Sequence, residues 1–282
     1  MAEAIVAPEP MRAAYGELRF GAGIVVPHFT LDDGDTCGDG GTEFCKHALL
    51  VSGYGGAYIP VSSDWSLITD LALDYHGSTD DSSDSGEALR YAAVGLHAVY
   101  EAGARPWGVF VMFGHNSAHE VPEEAPDFAG VGFEMMLEDF WVQVGGVHTW
   151  EDGNDVDGID SLYFVRGGRD FDVGQGTLRL SAALGFGDSD ADDGGGINDD
   201  DGHWAQLSAR YFSPLNDNME WFVGYQGDLV SIDETTEPLE RSFVSGFEIG
   251  LRMAFGADGS TSNRLPFETP NLRAPLSYAG DF

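Results

Sequence analysis

The chain is 282 residues long, with 43% hydrophobic residues, 12% aromatics and 39 glycines, a composition that excludes an intrinsically disordered protein. It carries 48 acids against 13 bases, for a net charge of −35, and Lys46 is its single lysine. So acidic a balance excludes nucleic acid as a partner, because a phosphate backbone needs a basic footprint, and it suits a hydrated acidic surface, divalent cations or a salty medium.

Residues 1–14 form a short N-terminal arm. "MAEAIVAPEP" has no basic n-region and no apolar core, and the small residues after Met1 read as a mature N-terminus behind an added start codon. Period-two alternation then predicts strands at about Tyr15–Val26, Ala48–Ile59, Trp65–His76, Ala88–Tyr100, Pro106–His115 and Phe128–Leu137. It continues at Phe140–Trp150, Leu162–Phe171, Thr177–Phe186, His203–Phe212, Met219–Ser231 and Phe243–Phe255. Ordinary strands average about five or six residues, whereas a tilted strand that crosses a bilayer needs about nine to eleven. The predicted strands have the second length.

Their connections alternate without exception. Those at 60–64, 101–105, 138–139, 172–176 and 213–218 are tight, and those at 27–47, 77–87, 116–127, 151–161, 187–202 and 232–242 are long and acidic. A soluble sandwich has no reason to sort its loops by parity, whereas an outer-membrane barrel does so, with short periplasmic turns and long external loops. In "TLRLSAALGF", Leu178, Leu180, Ala182, Leu184 and Phe186 share one face, opposite Thr177, Arg179, Ser181, Ala183 and Gly185. In water the leucines would turn inward. In a bilayer the oily face meets lipid and the polar face lines a lumen. Trp65, Tyr75, Tyr100, Trp107, Trp150, Tyr211, Trp221 and Tyr225 fall mainly near strand ends and suit aromatic girdles. The reading is an all-β fold, a 12-stranded antiparallel transmembrane β-barrel over 15–255, followed by a Pro-rich tail over 256–282 that reads as a periplasmic extension, with a lumen plug as the alternative.

"EIGLRMAF" (248–255) resembles the terminal-strand signal of bacterial outer-membrane β-barrels, with Glu248, Gly250, Met253 and Phe255 in the signal positions. The resemblance to this porin-like superfamily covers about 15–255 by pattern, and it departs from the family in ending the chain with a further tail. It implies export to the outer membrane of a Gram-negative cell envelope and insertion by the barrel-assembly machinery. It also implies contact with outer-membrane lipid and lipopolysaccharide, and a monomeric or homo-oligomeric state.

Strand parity turns Arg19, Arg90, Arg166, Arg179, Arg210 and Arg252 towards the lumen, with Glu17, Asp70, Asp74, Glu134, Glu138, Glu220, Asp228 and Glu248 facing them. Two readings stay open: charge ladders that select solutes, or ion pairs that cross-brace and fill the barrel. Asp152, Asp155 and Asp157 in one long loop, and Asp188, Asp190, Asp192, Asp199 and Asp201 in another, could wrap Ca²⁺ or stay hydrated; neither loop has the EF-hand order. Cys37 and Cys45, in the first long loop, are expected to form a local disulfide. "FGHNSAHE" (113–120) resembles the His-x-Ser motif of outer-membrane lipid A deacylases, which implies His115 as base, Ser117 as nucleophile and Glu120 or Glu123 as orienter. Those enzymes continue with Asn, whereas Ala118 follows here. The expected function is a porin-like channel for passive diffusion of small polar solutes, with no cofactor required. The alternatives are a lipid hydrolase and a structural or surface-interaction barrel with Ca²⁺-binding loops.

Overall fold

The computed structural model describes residues 13–30, 48–78, 88–103, 105–117, 127–150, 159, 161–189, 200–233, 240–256, 260 and 264–276. Its strands are β1 (Tyr15–Thr30), β2 (Ala48–Pro60), β3 (Trp65–Ser78), β4 (Ala88–Tyr100), β5 (Trp107–Ser117) and β6 (Asp127–Leu137). They continue as β7 (Phe140–Trp150), β8 (Ser161–Val173), β9 (Gly176–Ser189), β10 (Asp200–Asn216), β11 (Met219–Asp233) and β12 (Glu240–Gly256). Each pairs with its sequence neighbours, and β1 pairs antiparallel with β12, in the register Gly16↔Phe255 and Arg19↔Arg252, to close a 12-strand barrel. The strands match the alternation one for one. The largest difference is β10, which runs through an irregularity between Pro214 and Asn216 and so absorbs most of the turn expected at 213–218.

The faces are inverted relative to a water-soluble barrel. Leu184 is 62% exposed and Ile249 61%, and Phe20, Leu180, Leu207 and Leu251 are exposed beside them, while inward-facing Glu134 and His97 are 0% exposed. A continuous oily belt of this size on a closed sheet would aggregate in water, and hydrocarbon is the solvent that satisfies it. At the short-turn end Trp65 lies 5.1 Å from Tyr100 and 6.0 Å from Trp107, and Tyr211 lies 5.8 Å from Trp221, as ring centroids. Tyr75 and Trp150 are exposed towards the other end. Amphipathic rings at these two levels mark the interfaces of a transmembrane barrel.

This arrangement makes the belt sensitive to charge. Ile249→Arg, near the middle of β12, is expected to cost about 2–4 kcal/mol of folding free energy in the bilayer. Urea titration of folding into lipid vesicles measures it. In a water-soluble barrel the same change at so exposed a position would be nearly neutral.

Candidate lumen site

The interior contains a chain segment that belongs to no strand. Residues 264–276 run along the lumen from the short-turn end to the long-loop end, finishing in one helical turn, α1 (Arg273–Leu276). At the short-turn end the Arg264 carbonyl accepts from the Tyr15 hydroxyl at 3.2 Å, and Arg264 Nη2 donates to Glu220 at 2.9 Å. Midway, the Thr269 amide and hydroxyl donate to Asp70 at 2.6 and 2.5 Å. Further along, Asn271 and Arg273 donate to Asp74 at 2.7 and 3.2 Å. At the long-loop end the Ile159 amide donates to the Pro275 carbonyl at 3.1 Å.

These contacts correct the expected periplasmic position of the tail, for its described residues 264–276 lie inside the barrel. The physical reason is twofold. Leu265 and Phe267 complete a buried apolar cluster with Tyr58, Ile68, Val99 and Trp141 near the short turns. Leu272, Ala274 and Leu276 complete a second with Tyr91, Phe128, Leu162 and Trp204 near the long loops. Outside the barrel these side chains would stay in water, at a cost of about 1.5–3 kcal/mol for each large one. The wall is also shaped to receive the segment. A Cβ on Gly56 would collide with Leu265, and one on Gly95 with the Thr269 hydroxyl. The sequence offers the bending of a barrel as the use of the glycines in "VSGYGGAYI"; for Gly56 the use is close approach of the tail.

Between the two apolar clusters lies a charged layer. Glu268 accepts from Arg19 Nη2 at 2.8 Å and from Arg179 Nη1, while Arg179 also grips Asp170 at 2.8 and 3.0 Å. Arg166 Nη1 donates to Gln143 Oε1 at 3.4 Å and to the Glu268 carbonyl at 3.3 Å. Arg210 pairs with Glu248, which also accepts from Ser52 at 2.8 Å. Arg252, 1% exposed, bridges Glu17 and Glu220, each at 2.7 Å. His97 Nδ1 lies 2.9 Å from Glu134, its Nε2 lies 3.8 Å from Asp70, and Gln143 donates to Glu134 at 3.0 Å. Asp228 accepts from Trp204, Gln206 and Gln226. A cavity of about 110 Å³ remains between the tail and the wall of β10–β12 and β1–β3, with Arg19, Arg166, Arg210, Glu248, Glu268 and Asn271 in its lining.

Glu138 is the exception among the lumen candidates. It stands exposed in the two-residue turn between β6 and β7, with φ 58°, because β6 ends one residue before it and the lumen parity ends with the strand. The side chain of Arg90 lies outside the described residues. In the assembly signal, Glu248 turns inward to Arg210, Gly250 packs against the Phe222 ring, and Met253 and Phe255 are exposed on the outer face. Asp188 and Asp201 face each other across β9 and β10, both exposed. Asp152, Asp155, Asp157, Asp190, Asp192 and Asp199 lie outside the described residues, as do Cys37, Cys45 and Glu120.

Among the lumen residues that strand parity did not single out are His97, Gln143 and Gln206, then Ser52 and Asp170, and the whole tail set of Arg264, Glu268, Thr269, Asn271 and Arg273. The first three share the inward parity of Gly95, Gln143's neighbour Glu134 and Asp228, and parity alone could have found them. The tail has no strand period. Its one signal is a set of large apolar residues, Leu265, Phe267, Leu272 and Leu276, spaced among prolines and polar residues.

Neither a protein-family model nor a curated protein matches the chain. Among solved structures it is similar to an outer membrane channel from Pseudomonas putida F1, at 12% identity and a TM-score of 0.51, over 91% of this chain and 99% of that one. It is also similar to the translocator domain of the autotransporter NalP from Neisseria meningitidis, at 10% identity and a TM-score of 0.44, over 88% and 90% of the two chains. At 12% identity the likeness to the Pseudomonas channel is one of fold, that of an outer-membrane β-barrel.

Proposed function

From a barrel of the bacterial outer-membrane type, with oily side chains outside and ionised ones within, we propose a channel for small polar solutes whose lumen is stoppered by its own C-terminal segment. The observation that carries this reading is the charged cavity of about 110 Å³ beside a tail held by side-chain contacts rather than by the sheet. A barrel built only for structure would fill its interior with side chains from the strands themselves. Here the strands leave room, and a separable segment occupies it. Planar-bilayer recording tests the reading: the full chain is expected to conduct weakly, in brief openings, and the barrel without its tail to conduct steadily. A folded, tail-less barrel that passes no current would overturn it.

A lipid hydrolase is the second reading, and one observation favours it. On the outer face of β5, near the long-loop end, His115 Nδ1 lies 2.9 Å from Asp127 Oδ1. That bond would fix the imidazole tautomer and leave Nε2 free as a base towards the outer leaflet. Asp127 is the carboxylate at His115, and Glu120 and Glu123 lie outside the described residues. Ser117 follows two residues along β5, and its side chain lies outside the described residues. A hydrolase would release fatty acid from lipopolysaccharide, with the release lost in His115→Ala and in Ser117→Ala. A channel alone releases none from any of the three proteins.

A further inference from the structure

We propose that Arg19, Arg166, Arg179 and Arg210 form a binding site for a small carboxylate- or phosphate-bearing solute, and that Glu268 is its built-in occupant. The inference deepens the stoppered-channel reading, on which it rests for the ligand's route to the site.

The four guanidinium groups come from four strands, β1, β8, β9 and β10, and gather around one residue, Glu268, that the wall does not supply. Glu268 is ion-paired with Arg19 and Arg179, Arg210 borders the same cavity as Glu268, and Arg166 holds its backbone carbonyl. Guanidinium forks match the geometry of carboxylates and phosphates, which is why arginine recurs where these anions are recognised.

Charge bookkeeping shows how much of this layer depends on the tail. With Glu268 withdrawn, Arg179 keeps Asp170 and Arg210 keeps Glu248. Arg19 keeps a longer contact, 3.5 Å, to Glu17, which Arg252 already grips at 2.7 Å. The hydrogen bonds of Arg166 run to amide oxygens, those of Gln143 and Glu268. Four cations would then share two whole carboxylates and part of a third, a local excess of positive charge at this level of the lumen that an anion would offset.

Donors are already waiting. Arg19 is 5% exposed; its Nη1 is buried without a hydrogen-bond acceptor, as is Arg166 Nε, and its Nε has only the 3.5 Å contact to Glu17. Arg19, Arg166 and Arg210 all border the adjoining cavity, as does Glu268. An entering anion therefore meets unused N–H groups beside the carboxylate it would replace. By mass action, an anion that binds only the vacated site shifts the equilibrium towards tail release.

Calorimetric titration of the detergent-solubilised full chain with inorganic phosphate tests the site. Glu268→Gln, which keeps the shape of the side chain and removes its charge, is expected to bind phosphate about tenfold more tightly than the unaltered chain, a gain of about 1.4 kcal/mol. Adding Arg166→Gln is expected to abolish that gain. Binding no tighter in a folded Glu268→Gln protein overturns the proposal. Should that variant fail to fold, the unaltered chain decides by tryptic cleavage after Arg264 and Arg273, which a protease can reach only when the tail has left the lumen. Cleavage faster in phosphate than in chloride at equal ionic strength supports the site, and equal rates overturn it. Phosphate binding without any current from the tail-less barrel would instead sink the channel reading and leave the anion site standing.

Discussion

Deleting residues 257–282 is expected to raise single-channel conductance at least several-fold and to turn brief openings into a steady open state. The barrel should persist, because all twelve strands close through β1–β12 pairing without the tail. What the deletion removes is the material between the walls: Leu265 and Phe267 near the short turns, Leu272 and Leu276 near the long loops, and the Glu268 carboxylate between them. What it leaves is a lumen lined by Arg19, Arg166, Arg179 and Arg210 on one level and by Asp70, Asp74 and Glu134 around them. Twelve strands enclose less space than the 16–18 of an open porin, so the pore that opens is narrow, and its wall charges set which solutes pass. Planar-bilayer recording gives the conductance, and the heat-dependent shift of the folded band in gel electrophoresis shows that the barrel is intact. A folded barrel with conductance unchanged by the deletion contradicts the stopper.

Arg252→Met is expected to be the most destabilising single change in the lumen. The guanidinium of Arg252 is almost fully buried where β12 meets both β1 and β11, and it donates to Glu17 at 2.9 and 2.7 Å and to Glu220 at 2.7 Å. Replacing it leaves two buried carboxylates short of a partner, a loss of about 3–5 kcal/mol. Each carboxylate retains one other arginine, Glu17 through Arg19 at 3.5 Å and Glu220 through Arg264 at 2.9 Å, so the loss should fall at the lower end of that range. Arg264 belongs to the tail. Combining Arg252→Met with the tail deletion therefore strips Glu220 of both partners, and the combined loss should exceed the sum of the two separate losses. Urea unfolding of the barrel in lipid vesicles, followed by tryptophan fluorescence, measures all three proteins. Strict additivity would mean that the two arginines do not share Glu220 in the folded barrel.

The strands were legible because every one of them is a local pattern. In β9 and β12 each second residue is large and apolar, and nothing distant is needed to say that Leu180, Leu184, Ile249 and Leu251 share a face. The parity of the loops then decided that this face meets lipid. The same parity failed at Glu138, one residue past the end of β6, where the chain has already turned. It also left the purpose of Gly95 open, since a missing side chain has no pattern until the atom that fills the space is known.

The amino-acid sequence by itself determined a twelve-stranded barrel, its inversion of oily and charged faces and the sorting of its connections, because alternation reports, residue by residue, which solvent each side chain meets. Only the tertiary structure decided that the lumen is occupied, that Glu268 completes an arginine cluster drawn from four strands, and that Asp127 partners His115. A segment without a repeat carries no address in its own residues. Its place depends on a fit to a cavity whose walls are brought together only when the sheet closes.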